Sequence, residues 1–295
     1  MIKHLITGGC SFSTLRESAF GWIRILENKL KETHADLTSE HTGYSSQGQE
    51  LIQKKCMLAC IEAMDRGCQP NEILVVVMWS GTYRKAWYID NPGIVDDIAK
   101  GMKNFRGGMS ALFLDLKNRN ADNPAYFETV TGDRFPYNPG GGWYFTVNGS
   151  DCQLPFVQQH YMLDGWLQGA GKVHNSIENI IMLQNFCKLH GITLVNQFYM
   201  DHVFQDIVHQ QDHQIVNYLY KQLDMNYTIT EGMFETVHEL LNIPRHAVKD
   251  LTHDARKQLT SDSEYFSNDG FHPGPMGHQY WCNKVLFPFI ESKGL

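Results

Sequence analysis

Short apolar runs along the chain alternate with segments whose apolar residues recur at helical spacing. The runs that predict strands cover residues 4–7, 73–79 and 192–198, with a weaker candidate at 36–43. The run at 73–79 is apolar throughout, which is typical of a central parallel strand covered on both faces. Helical spacing predicts helices at about 18–32, 49–66 and 173–190, and a last one that ends near 291. This alternation predicts an α/β fold: one domain spanning 1–295, with a parallel sheet of about five strands.

Two stretches do not follow the alternation of strand and helix. Residues 85–172 are rich in Gly, Asn, Asp and aromatic residues, and they predict an insertion with one or two short helices and room for a hairpin. Residues 203–260 are polar, helical in pattern and rich in His, and they predict a second insertion. Because the strands that precede both insertions end at the same edge of the sheet, we expect the insertions to lie at that edge and to shape a pocket there.

Turns of small residues follow the first, second and third candidate strands, at 8–13, 43–49 and 80–84. In an open parallel sheet these turns share the carboxyl edge, where such folds bind ligands. Ser11 lies in the first turn, where nearby backbone N–H groups could stabilise an oxyanion. The alternative interpretation is that Ser11 caps the helix that follows.

The C-terminal part of the chain offers partners for a serine nucleophile. Asp269 and His272 lie three residues apart, followed by Pro273. A serine hydroxyl needs a base within hydrogen-bond reach, and that base needs a carboxylate to orient it. The alternative is a structural loop, in which Asp269 caps the last helix and His272 packs on Trp281.

These segments together resemble the SGNH hydrolase superfamily, the GDSL-type esterases and lipases. The segment Gly9-Cys10-Ser11-Phe12-Ser13 resembles the first block of the family, Gly-Asp-Ser-Leu-Ser. The segment Asp269-Gly270-Phe271-His272-Pro273 resembles its last block, Asp-x-x-His-Pro. The resemblance implies a three-layer, flavodoxin-like α/β/α sandwich and a triad in which Ser11 is the nucleophile, His272 the base and Asp269 the acid.

The middle blocks of the family differ more from this sequence. The resemblance implies oxyanion donors at Ser11 and in the second block, where either Ser46 or Gly48 matches the family glycine. The third block normally supplies an asparagine, and here Tyr83 stands at that position. Loss of one oxyanion donor lowers the rate by about 10²–10³-fold, so this change bears on catalytic competence. Arg84, which follows, is a candidate for binding a carboxylate or phosphate of a substrate.

Composition and charge narrow the function classes. The net charge is −7 and no Lys/Arg cluster stands out, which argues against nucleic-acid binding. No apolar run approaches 18 residues and the N-terminus does not resemble a signal peptide, so we expect a cytoplasmic protein that does not bind a membrane. The seven cysteines contain no CxxC pair, which favours reduced thiols over disulfides or zinc. Neither a metal nor an organic cofactor is implied.

The expected activity is therefore hydrolysis of an ester by a Ser-His-Asp triad. The expected substrate is a small-molecule or carbohydrate ester with an acetyl or other short acyl group. Two alternatives stay open at this point: a binding or structural protein on the same scaffold with its chemistry impaired, and an acyltransferase that uses the same triad. The oligomeric state is not predicted.

Overall fold

The computed structural model describes residues 1–13, 21–43, 47–82, 84–89, 112–115, 126–127, 143–148, 170–248, 251–260, 264–267 and 272–295. Only the backbone is described for 85–89, 112–115, 126–127 and 143–148, and for residues 253, 256 and 260. The strands are β1 (His4–Gly9), β2 (Thr38–His41), β3 (Ile73–Trp79), β4 (Arg84–Ile89), β5 (Leu112–Asp115), β6 (Tyr126–Phe127), β7 (Trp143–Asn148), β8 (Thr193–Phe198) and β9 (Thr228–Gly232).

The central sheet is parallel throughout, and its strands run in the order β2-β1-β3-β8-β9. Gly9 at the end of β1 is paired with Met78 of β3, and Met78 is paired with Gln197 of β8. Every residue of β3 is buried, as its uninterrupted apolar sequence predicts. The predicted parallel neighbours at 4–7, 73–79 and 192–198 are therefore confirmed as β1, β3 and β8.

The described residues form ten helices, and the first three and the end of the last agree with the predicted positions within a few residues. They are α1 (Trp22–Thr33), α2 (Gln49–Asp65), α3 (Ala170–His190), α4 (Asp201–His209), α5 (Gln214–Tyr220), α6 (Met233–His238), α7 (Arg245–Val248), α8 (His253–Thr260), α9 (Pro275–Trp281) and α10 (Phe287–Ser292). Shorter 3₁₀ turns cover Ser11–Ser13, Pro70–Glu72, Met225–Tyr227 and Glu239–Leu241, and a π-helical turn, Cys282–Leu286, joins α9 to α10.

The helices form a layer on each face of the sheet. The chain moves outward from β1 to β2 and then back to β3, so right-handed crossovers place α1 and α2 on opposite faces. Helix α2 packs against α3, whereas α1 packs against α9. The arrangement is consistent with the predicted three-layer α/β/α sandwich.

The fifth strand of the central sheet comes from a segment that the apolar pattern assigned to a helical insertion. Within 203–260, residues Thr228–Gly232 form β9 at the edge of the sheet. The sequence Thr-Ile-Thr-Glu-Gly has one apolar residue, Ile229, which is buried. An edge strand is covered less completely than a central one, so it needs no long apolar run and gives a weak sequence signal.

A second sheet lies within the predicted insertion at 85–172. It is antiparallel, with the order β4-β7-β5-β6, and β5 pairs with β6, the next strand along the chain, where the sequence left room for a hairpin. Strand β4 begins at Arg84, shortly after β3 ends at Trp79, so this sheet continues from the carboxyl edge of the central one. The short helices predicted in this insertion fall outside the described residues.

Buried tryptophans anchor the core, and their polar ring atoms are hydrogen-bonded. Trp79 Nε1 donates to Asn196 Oδ1 at 2.9 Å, and Trp281 Nε1 donates to Gln197 Oε1 at 3.1 Å. The second bond connects α9 to β8. The described cysteines are all free thiols. Among the described helices, none has the length and hydropathy needed to cross a membrane.

Candidate active site

Ser11 begins the tight 3₁₀ turn that follows β1, and this turn depends on a glycine. Gly9 has φ +154°, and a Cβ atom placed there would lie 2.7 Å from Ser13 Cβ and 2.8 Å from Met78 O. The chain can therefore leave the strand this closely only without a side chain at this position. Ser13 N–H donates to Cys10 O at 2.8 Å, and Trp22 Nε1 donates to Ser13 Oγ at 3.2 Å. These bonds hold the turn that carries Ser11.

His272 is presented by a short antiparallel contact between two parts of the C-terminal loop. Phe266 and Pro273 form an isolated bridge, and Gly274 N–H donates to Tyr265 O at 2.8 Å. The backbone N–H and hydroxyl of Ser267 both donate to His272 O, at 2.8 and 3.0 Å. The backbone of His272 is therefore fixed directly before α9 begins.

The two ends of the chain meet at these side chains. Ser11 Oγ lies 2.8 Å from His272 Nε2, although the residues are 261 positions apart. The contact predicted from the sequence is therefore present, with a distance suited to proton transfer. The Phe12 ring lies 5.1 Å from the His272 imidazole, at a tilt of 49°, and restricts the orientation of the imidazole from one side.

Aromatic side chains extend from this contact towards β8 and β9. Phe12 is 2% exposed and packs edge-on against Tyr199 at 5.0 Å and Phe234 at 6.3 Å. Tyr199 follows β8 and Phe234 follows β9. The second predicted insertion therefore reaches the turn that carries Ser11, as expected for a segment at the carboxyl edge. The sequence analysis did not single out these aromatic residues, because their spacing is equally typical of core packing.

Arg84, the candidate substrate-binding residue, is buried near this aromatic group. Its side chain is 6% exposed, and its guanidinium carbon lies 5.9 Å from the centre of the Tyr199 ring. Tyr199 in turn contacts Phe12. Arg84 is thus connected to His272 only through Tyr199 and Phe12 among these contacts. Its role in substrate binding stays a prediction.

The predicted second-block loop is fastened to the turn that carries Ser11. Thr42 N–H and the Thr42 hydroxyl both donate to Thr7 O, at 2.8 and 3.1 Å. A Cβ atom on Gly43 would meet Ser13 Cβ at 2.9 Å and would come still closer to Ser13 O, so the loop begins in direct contact with the first turn. The loop ends at Gly48, the N-cap residue of α2.

Two of the candidate oxyanion donors, Ser11 and Gly48, lie within the described residues. Among the described residues, no carbonyl accepts the N–H of Ser11 or of Gly48. The other candidate donors, Ser46 and Tyr83, lie outside the described residues, as does Asp269, the predicted acid of the triad. Their roles stay predictions.

His278 occupies a structural position next to the site. It is buried, and its Nδ1 accepts the backbone N–H of Trp22 at 3.2 Å, at the start of α1. Burial lowers the pKa of His278 to about 3, so the ring is neutral and able to accept this bond.

A charged cluster fixes the segments that follow β8 and β9. Asp201 accepts hydrogen bonds from Arg245 Nη2 at 2.5 Å and Nε at 3.0 Å, and Gly232 N–H donates to Asp201 Oδ1 at 2.6 Å. Asp201 N–H donates to Glu235 Oε2 at 2.8 Å. Burial, with the charge of Asp201, raises the pKa of Glu235 to about 7. This cluster, which the sequence analysis missed, holds the backbone on which Tyr199 and Phe234 are placed.

The described side chains do not form a metal centre. Within the described ranges, no group of three or more His, Cys, Asp or Glu side chains is arranged to hold a metal ion.

No protein-family model matches the chain, and no curated protein is significantly similar to it. The resemblance to the SGNH hydrolases therefore depends on the sequence blocks, and the contact between Ser11 and His272 is the geometry that bears on it.

Proposed function

We propose that the protein is a serine esterase that hydrolyses a short-chain acyl ester, carried by a small molecule or a carbohydrate. The observation that carries this proposal is the 2.8 Å contact between Ser11 Oγ and His272 Nε2. A hydroxyl and an imidazole from opposite ends of the chain meet at the carboxyl edge of a parallel sheet, where this type of fold binds ligands. A structural role for His272 would not require its Nε2 to face a turn serine.

The proposed reaction has two half-reactions. Ser11 Oγ attacks the ester carbonyl while His272 Nε2 takes its proton, which gives a tetrahedral intermediate with a negative oxygen. The intermediate collapses, and the alcohol leaves with the proton from His272. Water then attacks the acyl-serine, with His272 again acting as the base, and releases the carboxylic acid and free Ser11.

Two further groups complete the proposed mechanism. The N–H of Ser11, with a second donor from the loop that ends at Gly48, stabilises the oxyanion. The Asp269 carboxylate accepts a hydrogen bond from the Nδ1–H of His272, which fixes the tautomer that leaves Nε2 free to act as a base.

Hydrolysis of p-nitrophenyl acetate by purified protein tests the proposal. Wild type is expected to release p-nitrophenol, and Ser11→Ala to lower kcat at least about 10³-fold, because the attacking oxygen is lost. The neighbouring Cys10 is fully buried, so Cys10→Ala is the matched control and is expected to keep most of the activity.

The reverse order of the two variants would make Cys10 the nucleophile and would contradict the proposal. Equal and undetectable activity in wild type and both variants would favour the binding-protein alternative.

A further inference from the structure

Two buried glutamines flank Gly48, and both reach back to the ends of the central strands. The Gln47 and Gln49 side chains have no exposed surface. Gln47 Nε2 donates to Gly9 O at 2.6 Å and to Thr42 O at 3.0 Å. Gln49 Nε2 donates to Ser80 O at 2.5 Å. Because all three acceptors are carbonyl oxygens, each amide must present its NH₂ group to them, and its orientation is fixed.

These bonds place Gly48 between two anchors. Gly9 ends β1 two residues before Ser11, and Ser80 directly follows β3, the neighbour of β1 in the sheet. The bond to Thr42 O also closes the loop between 42 and 47 on itself. Gly48 is thus held across the carboxyl ends of β1 and β3, at the edge where Ser11 lies.

An oxyanion donor is effective only when it is already in position. It must lie about 2.7–3.1 Å from where the negative oxygen develops, and reorganisation during the reaction removes its advantage. The Gly48 N–H belongs to a residue without a side chain, in an extended conformation at φ −79° and ψ 167°. Its carbonyl accepts the Ile52 N–H at 3.1 Å at the start of α2, but Gly48 has no side chain to hold its own N–H, so the neighbouring side chains contribute to its direction.

We propose that Gln47 and Gln49 are positioning residues that hold the Gly48 N–H as the second oxyanion donor of Ser11. This inference rests on the proposed function, since an oxyanion forms only if Ser11 attacks a carbonyl. It selects Gly48 over Ser46 as the second-block donor. It also explains why a large polar side chain is buried on each side of Gly48, at positions where apolar residues would otherwise be favoured.

Methionine substitutions remove the donor while keeping the length of the side chain. Gln47→Met and Gln49→Met are each expected to lower kcat for p-nitrophenyl acetate by about 10- to 100-fold, less than the loss of an oxyanion donor, because the Gly48 N–H is displaced and not removed. KM is expected to change by less than about threefold, because the oxyanion exists only after attack. Rates are expressed per active site, titrated with a fluorophosphonate, so that any loss of folded protein is removed from the comparison.

Gln53→Met is the matched control. Gln53 is also buried on α2, but its amide contacts Met57 of the same helix and not a strand end. This variant is expected to keep the wild-type kcat. A trifluoromethyl ketone, whose serine adduct carries a negative oxygen, is expected to bind more weakly to Gln47→Met and Gln49→Met by a factor similar to their loss of kcat, and equally well to Gln53→Met.

The outcomes separate this inference from the function on which it rests. A wild-type kcat per titrated site in both Gln47→Met and Gln49→Met would overturn the inference alone, and so would an equal loss in Gln53→Met. Gln47→Met removes the bonds to Gly9 O and Thr42 O, whereas Gln49→Met removes the bond to Ser80 O. Each variant therefore tests the inference by itself if the other does not fold. A wild type that neither hydrolyses the ester nor reacts with the fluorophosphonate would overturn the proposed function and this inference with it.

Discussion

The contact between Ser11 and His272 could be predicted from the identities of single residues in the sequence. Their identities and their place in short motifs were enough to predict that the two side chains meet, and they do so at 2.8 Å. Gln47 and Gln49 were not singled out, because an amide that bonds to a backbone carbonyl leaves no pattern in the sequence. Such contacts depend on which strand ends lie nearby, and only the folded chain brings those together.

Gly9→Ala tests whether the turn that carries Ser11 requires a glycine. The new Cβ would lie within 2.8 Å of both Ser13 Cβ and Met78 O, so we expect a loss of about 3 kcal/mol or more in the free energy of unfolding, measured by urea denaturation. Gly67→Ala is the control: Gly67 has φ +95° with no atom within 4 Å of a new Cβ. It is expected to lose about 1 kcal/mol from backbone strain alone. Equal losses would contradict the steric account.

His278 makes stability depend on pH in a direction that can be worked out. Its pKa is about 3 in the folded protein and 6.5 in the unfolded chain, so the unfolded chain binds an extra proton between these values. Its stabilising contribution is complete above about pH 6.5 and is lost as the pH falls towards 3. His278→Asn keeps an acceptor for Trp22 N–H but does not titrate.

Urea denaturation of wild type and His278→Asn at pH 7, 5 and 4 measures this effect. The stability of wild type should fall with acid more steeply than that of the variant, by up to about 1.4 kcal/mol per pH unit. The difference in the free energy of unfolding between the two proteins isolates the contribution of His278. Glu235, whose pKa is raised, makes stability rise as the pH falls from about 7 to 4.5, and it does so equally in both proteins. Parallel curves would show that His278 titrates normally.

The elements differ in how clearly the sequence marks them. The central strands contain short apolar runs, uninterrupted in β3, because both faces of the sheet are covered, and β1, β3 and β8 were predicted with their parallel pairing. Strand β9 was missed, because an edge strand with one buried apolar residue resembles a polar loop. The second sheet pairs β4 with β7 across a long stretch of chain, and apolar spacing contains no information about such distant partners.

Arg245→Met tests the charged cluster that joins the segments after β8 and β9. The substitution leaves Asp201 beside the buried Glu235 without its cation, so we expect a loss of about 2 kcal/mol in the free energy of unfolding at pH 7. The loss should shrink in acid, as the carboxylates become protonated. Thermal and urea unfolding both measure it.

Arg66→Met is the control for this prediction. Arg66 also pairs with a carboxylate, Glu40, at 3.0 Å, but its side chain is 52% exposed. A surface pair contributes at most about 1 kcal/mol, so this variant should lose less. If Arg66→Met proved as destabilising as Arg245→Met, the cluster would have no special role in joining the two segments.

At the scale of the whole molecule, the site is assembled from both ends of the chain. Ser11 follows the first strand, and His272 directly precedes the C-terminal helices, which are fastened to the rest of the fold by Trp281 and His278. The site therefore exists only when the sheet and the C-terminal segment are both in place. The sequence indicated this arrangement through the order of its blocks, but the position of Asp269 relative to His272 is still a prediction.

Reaction with a fluorophosphonate, followed by peptide mass spectrometry, tests the central claim most directly. The probe forms a covalent adduct with a serine whose proton a neighbouring base removes, and it needs no knowledge of the natural substrate. We predict one adduct, on Ser11, that is lost in Ser11→Ala, is strongly reduced in His272→Ala and is retained in Cys10→Ala. An unmodified Ser11 in folded wild-type protein, or an adduct on Ser11 that forms equally fast without His272, would contradict the account.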